Sequence, residues 1–295
     1  MSRALVFGGG GPVGIGWESG LIAGLRDAGV DITGADLVVG TSAGSVVGAA
    51  LVAGRDPEEA AALAGNGGAA APEASGDPVA DAAGLEALMS TVAEAAGNPE
   101  AAERVRARLG ALALSAATVP ESQWLDLFDT FAGWPWPTGF ACTAVDTATG
   151  QFRVWDETAG VPLQAAVASS CAVPAVFPPV TIDGARYMDG GVRDMLNADV
   201  AAGHDTVVVV SCTLLEIPAG LAPPAMEAVF AATRAQIDGL RNAGSLVEVV
   251  VPGAEMLEVS GWGMNLMDFS RAAAAFEAGR RQGAEEAARI GAAWA

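Results

Sequence analysis

At 295 residues with a formal charge of −20, the chain carries 35 acidic residues against 15 basic ones and a single histidine. No Lys/Arg cluster offsets that charge, so no nucleic-acid partner is expected, nor electrostatic docking on anionic lipid. A hydrophobic content of 52% excludes a largely disordered chain and leaves enough apolar surface for a sizeable core.

"RALVFGG" reads as a short buried strand, and "GIGWESGLIAGLRDAGV" follows as a helix closed near Gly29. "DLVVG" is a second buried strand and "AGSVVGAALVAG" a second helix. Leu37 to Gly54 carries no charge and has the length of a membrane span. The Gly40-Thr41-Ser42 turn divides it, so strand plus helix is the better reading. Strand, glycine turn, helix, strand, sharp turn, helix predicts an α/β fold with parallel strands. Residues 56 to 132 are Ala-rich, with helical patterns around 57–65, 79–96, 99–116 and 121–132. Gly and Pro interrupt them at 66–78 and 97–99, and Trp134-Pro135-Trp136-Pro137 ends the block. One domain over 1–295 is expected, with about 56–137 as a helical cap or insertion.

"GFACTAVDTATGQFRVW" alternates about a turn at Thr147–Gly150 and predicts a β-hairpin. "VPLQAAVASSCAVPAVFPPV" is a short helix running into a proline-constrained loop. "TIDGARYMDGG" is a second hairpin, turning at Asp183-Gly184. "HDTVVVVSC" is a buried strand, 222–242 a helix, "SLVEVVVP" another strand, and 268–294 helical. The first residues are too rich in glycine for a secretory signal. Cys142, Cys171 and Cys212 are widely spaced in apolar surroundings, which predicts buried thiols in a reducing, cytoplasmic compartment. No Cys/His cluster suggests a metal, and no cofactor is expected.

The chemistry centres on Ser42, within Gly40-Thr41-Ser42-Ala43-Gly44. This is the G-x-S-x-G pattern of a nucleophile elbow, placed between a strand and a helix as such an elbow requires. The helix N-terminus beyond it offers free N–H groups to a developing anion. The other reading is a glycine-rich turn with an incidental serine. A second glycine loop, Gly8 to Gly14, joins the first strand to its helix. Its spacing satisfies G-x-G-x-x-G, but the ribose-binding position at the end of the second strand is taken by Gly40-Thr41-Ser42. A nucleotide site is therefore the weaker reading, and an oxyanion hole the stronger. Two candidate bases follow Ser42 in sequence: Asp189, in Met188-Asp189-Gly190-Gly191, and His204. His204 precedes a strand, and strand starts lie at the opposite edge of a parallel sheet from the elbow.

"GGGGPVG", "GTSAG" and "MDGG", in that order, together with "ASSCAVPAVFPP", resemble the patatin-like phospholipase family. The resemblance covers most of the chain and is weakest across 56–137. It implies a three-layer α/β/α fold with a mainly parallel central sheet. It also implies a Ser–Asp dyad that needs no histidine: Ser42 matches the nucleophile, Asp189 the base, and Gly9, Gly10 and Gly11 the oxyanion loop. The implied substrates are lipid or other acyl esters, of the phospholipase A or lysophospholipase type, met in transient contact with a membrane surface. Val13 stands where the family often has Arg or Lys, which implies weaker anion binding at the loop. A non-catalytic lipid-binding protein of the same fold and a Ser–Asp–His esterase using His204 are the alternatives.

Other residues have plainer readings beside functional ones. Arg193 fits a surface ion pair or an anionic substrate group. Asn197 fits a helix cap or a brace for the Asp189 loop. Trp134, Trp136, Trp262, Met264 and Met267 fit core or lid packing, or an acyl pocket.

Overall fold

The computed structural model describes residues 1–70, 82–98, 100–216 and 224–295. Among the described residues eight strands form one sheet: β1 (Arg3–Phe7), β2 (Leu37–Gly40), β3 (Phe140–Asp146), β4 (Phe152–Trp155), β5 (Val180–Ile182), β6 (Ala185–Asp189), β7 (Thr206–Val210) and β8 (Leu246–Val250). The helices are α1 (Gly11–Asp27), α2 (Ala43–Val52), α3 (Pro57–Ala70), α4 (Ala82–Gly97), α5 (Ala102–Ser115), α6 (Glu121–Asp126), α7 (Leu163–Ser170), α8 (Pro224–Asn242), α9 (Ala254–Val259) and α10 (Ala272–Trp294). None of the described helices is long and apolar enough to cross a membrane.

The fold is α/β, as expected. Strands β3, β2, β1, β7 and β8 pair in parallel in that order. The β3–β4, β3–β6 and β5–β6 pairings are antiparallel, so the sheet is mixed at one end. β1 shows why the central strands read as unbroken apolar runs: both faces are covered. Leu5 and Phe7 pack with Trp17, Leu21 and Ile290 from α1 and α10. Ala4 and Val6 face the other way, onto Ile237 and Leu240 of α8. Small residues let α1 and α10 meet at backbone distance, since a Cβ on Gly20 would lie 2.0 Å from Phe276 O. α1 is thereby fixed, and with it the glycine loop at its N-terminus.

The decisive feature is the crowding around β3. Cys142 pairs with both Gly40 of β2 and Trp155 of β4, while Ala144 pairs with both Arg153 of β4 and Asp189 of β6. A strand residue has one neighbour on each side, so β4 takes one edge of β3 and β2 and β6 share the other. β2 runs parallel to β3 and β6 antiparallel, so their C-terminal ends point at each other there.

Both hairpins form with the expected turns; Asp183 and Gly184 have φ of 51° and 81°, as a two-residue hairpin turn requires. Two helices end elsewhere than expected, and a third element is new. α3 continues to Ala70 instead of ending near 65. The helix expected over 121–132 stops at Asp126 and resumes as a 3-10 turn at Asp129–Phe131. Leu127 and Phe128, between the two pieces, line a cavity, so side-chain burial there overrides helical continuity. α9 was not expected at all. Residues 71–81, 99 and 222–223, part of the predicted interruptions and helices, lie outside the described residues.

Candidate active site

β2 ends at Gly40 and α2 begins at Ala43, so Thr41 and Ser42 make the whole turn. Ser42 is held at φ 53°, ψ −117°, a backbone state that costs a non-glycine residue about 1–3 kcal/mol. Close packing imposes it. A Cβ on Gly40 would meet Gly44 O at 2.4 Å, and one on Gly44 would meet Phe7 O at 2.2 Å. Only glycine at both places lets α2 press against β1 and β2 and leave the serine at the apex. The Ser42 N–H donates to Ser170 Oγ at 3.0 Å, and its carbonyl accepts from Ser45 Oγ at 2.7 Å and Cys171 Sγ at 3.3 Å. The end of α7, within "ASSCAVPAVFPP", therefore clamps the elbow.

Asp189 closes β6 from the facing direction. It is 4% exposed, and Ser42 8%. Asp189 Oδ1 accepts the Gly191 N–H at 2.7 Å, while Oδ2 is buried with no hydrogen-bond partner. Burial lifts the carboxyl pKa from 3.8 to about 7, opposed by the Gly191 N–H and by the Ser42 hydroxyl. The hydroxyl thus lies within interaction range of the carboxyl, although no bond of standard length and angle joins them. Such contacts commonly tighten only when substrate is bound. Burial pushes the nearby Cys171 thiol well above its ordinary range, and the Asp189 charge pushes it further.

A buried polar knot holds the two strand ends in register. Thr41 Oγ1 lies 2.8 Å from Thr143 Oγ1 of β3. Asn197 Nδ2 reaches Thr41 Oγ1 at 3.1 Å, Thr143 Oγ1 at 3.3 Å, Gly190 O at 3.2 Å and Asp194 O at 2.7 Å. Asn197 caps nothing with its side chain; it ties the serine turn, β3 and the aspartate loop together. Of its two readings, the brace is the one seen. The position gives a local clue, since Asn tolerates the left-handed conformation it adopts here, φ 51°. Nothing local marks Thr143 or Ser170.

The glycine loop lies beside Ser42: a Cβ on Gly9 would come within 3.5 Å of Ser42 Cβ. Its three expected donors are not equivalent. The Gly9 N–H is already given to Met195 O at 2.8 Å, so Gly9 offers space and not a donor. The Gly10 and Gly11 N–H groups have no bond among the described residues, and neither has Ala43 N–H at the start of α2. Gly11 has φ 56°, and a Cβ there would lie 2.6 Å from Leu266 O. Val13 is fully buried and donates its N–H to Leu266 O at 3.2 Å, so the place of the family's frequent Arg or Lys is filled by core packing.

A cavity of about 350 Å³ opens on Ser42 and Gly11. Its lining is largely apolar and includes Ile15, Val46, Trp124, Phe128, Phe131 and Met267, with Asp126 and Thr130 among its polar members. Met267 is the only one of the five Trp and Met candidates on that wall. Trp134 packs edge-on to Phe131 beneath Arg55, and Trp136 donates to Phe140 O. Trp262 and Met264 are 72% and 78% exposed.

Two candidates do not line the cavity. His204 sits just before β7 with Nδ1 3.0 Å from Ala201 O. It is at the end of the sheet opposite Ser42, ~15–20 Å off at the usual rise per strand residue. Arg193 pairs with Asp199 and lies 4.1 Å over the Phe152 ring. Among the described residues no cluster of His, Cys, Asp or Glu could hold a metal.

Ser42 thus stands at a strand–helix elbow and opens on the cavity, with the buried, partly unsatisfied Asp189 carboxyl within range of it. The chain belongs to the patatin-like phospholipase family, whose model matches residues 5–202. No curated protein matches it. Among solved structures it is similar to VipD from Legionella pneumophila, at 15% identity and a TM-score of 0.44, covering 97% of this chain and 66% of that one. It is also similar to the type III effector protein ExoU, at 15% identity and a TM-score of 0.38, covering 96% of this chain and 53% of that one. The chain thus spans less than two thirds of either neighbour.

Proposed function

We propose that the protein is a serine ester hydrolase acting on lipid-like acyl esters of the phospholipase A or lysophospholipase type, with Ser42 as nucleophile and Asp189 as general base. The observation that carries this reading is the free, buried Oδ2 of Asp189 beside a strained elbow serine at the head of an apolar cavity. Ser42 Oγ attacks the ester carbonyl while Asp189 takes its proton. The oxyanion is received by the free N–H groups of Gly10, Gly11 and Ala43. Asp189 then protonates the departing alcohol. In the second half, water attacks the acyl-enzyme, giving its proton to Asp189, and Ser42 leaves reprotonated. A carboxyl with a pKa near 7 is a far better base for this work than an ordinary aspartate.

The cavity holds the acyl chain, and the 56–137 segment acts as its cap through Leu63, Trp124, Phe128 and Phe131. Trp262 and Met264 lie on the loop that runs on to Met267 and Phe269 of the cavity wall. They are the part of the surface suited to transient contact with a neutral lipid interface. The three free, buried thiols support a reducing, cytoplasmic setting.

An ester series of increasing chain length, run on wild type and Ser42→Ala, tests the reading. Wild type should hydrolyse the esters and react covalently with a fluorophosphonate, and Ser42→Ala should do neither. A wild type that neither turns over nor labels would overturn the proposal in favour of a non-catalytic lipid binder.

A further inference from the structure

Glu18 is a second buried carboxyl, and the mechanism above does not use it. It lies on α1, one helical turn beyond Gly14, and is 0% exposed. Its Oε1 accepts from Cys212 Sγ at 3.4 Å, and its Oε2 has no hydrogen-bond partner among the described residues. The Gly8 N–H, which donates to Val210 O at 3.0 Å, also faces the carboxyl. A carboxylate with one thiol and one shared amide for donors is poorly sustained away from water, and burial raises the Glu18 pKa well above the usual range. Burial thus favours the protonated form of Glu18, which suits its place, because a fixed negative charge behind the loop would oppose the oxyanion in front of it.

Cys212 connects the two. A Cβ on Gly10 would lie 2.5 Å from Cys212 Sγ, and one on Gly14 would lie 3.0 Å from it. The thiol occupies the room that a Gly10 side chain would need, with Glu18 behind it. The loop's other fixings are Gly9 N–H on Met195 O, Val13 N–H on Leu266 O, and Gly14 N–H on Gly10 O at 2.7 Å, so Cys212 adds side-chain packing where the backbone gives Gly10 a single bond. A run of four glycines has wide conformational freedom, and an oxyanion hole works only if its N–H groups are aimed in advance. We propose that Glu18 is a positioning residue, acting through Cys212 to hold the Gly10 and Gly11 N–H groups toward the cavity. This rests on reading those two groups as the receivers of the oxyanion.

The test combines amide hydrogen exchange across residues 8–14 with steady-state kinetics on a soluble short-chain ester, using the full chain. Glu18→Gln keeps an acceptor for the thiol and should leave exchange and kcat within about threefold of wild type. Glu18→Leu keeps bulk but removes the acceptor. It should speed exchange at Gly9 and Gly14, the loop amides bonded to Met195 O and Gly10 O, by about fivefold or more and lower kcat by about tenfold or more, with KM within about threefold. Exchange and kcat both at wild-type levels in Glu18→Leu would overturn the proposal, as would faster exchange spread evenly over α1 and α10. Faster loop exchange with unchanged kcat would overturn the link to the oxyanion. If Glu18→Leu does not fold, Cys212→Ala removes the connecting thiol and should show the same local loosening; unchanged exchange there refutes the idea. If wild type hydrolyses no ester, the functional reading fails, and the exchange comparison still decides the role of Glu18.

Discussion

Asp189→Asn separates the cost of holding a base from the benefit of having one. Burial raises the carboxyl pKa from 3.8 to about 7, and at ~1.4 kcal/mol per tenfold change in proton affinity the ionised form destabilises the fold by ~4 kcal/mol. The sign follows from proton binding. Below the unfolded pKa the acid is neutral in both states and costs nothing. Between that value and the folded pKa the folded state holds the extra proton, so stability falls as pH rises. Above the folded pKa the full penalty applies. Asparagine carries no charge at any of these values. Its buried NH2, lacking an acceptor, adds a pH-independent cost of ~1–3 kcal/mol. Urea unfolding of both proteins should therefore show the variant gaining ~4 kcal/mol on wild type between pH ~4 and pH ~8. Subtraction cancels the titration of Glu18 and Asp194, which are present in both. Turnover should move the other way, down by ~10²–10⁴-fold. Wild-type kcat/KM should rise with pH and level off above about 7, as the base loses its proton. A stability difference constant with pH to within ~0.5 kcal/mol, or retained turnover in Asp189→Asn, would refute the assignment.

Two further outcomes follow from the same geometry. His204→Ala should keep turnover within about twofold of wild type, because the ring sits at the far end of the sheet; a fall of ~10³-fold on a soluble ester would restore the triad reading. Trp262→Ser combined with Met264→Ser should weaken co-sedimentation with phosphatidylcholine vesicles by about tenfold, since both side chains are largely exposed. Undiminished vesicle binding would remove the 260–267 loop as the lipid contact.

The local signals lie in a few residue types. Glycine at 40 and 44 around Ser42 marks a turn too tight for other residues, and unbroken Val and Leu mark strands buried on both faces. Period and turn chemistry are short-range properties, so the central strands, both hairpins and the elbow are legible in the chain itself, and the resemblance nominated Asp189. Side-chain destinations are set by packing partners, and no local pattern carries them. Trp134 and Trp136, which read as core or lid packing before acyl pocket, pack on Phe131 and bond to Phe140 O, while Trp124 and Phe128 took the cavity wall. The Gly9 N–H reads as a donor until Met195, far along the chain, is seen to occupy it.

By itself the sequence determined the elbow: two glycines whose missing side chains leave room for one bent serine. Only the tertiary structure decided what that serine faces. β2 and β6 belong to distant parts of the chain, and their meeting depends on both choosing the same edge of β3 from opposite directions. That choice is a long-range hydrogen-bonding decision, locked by Asn197 across Thr41, Thr143 and Gly190, and it brings Ser42 to a carboxyl that burial has made basic.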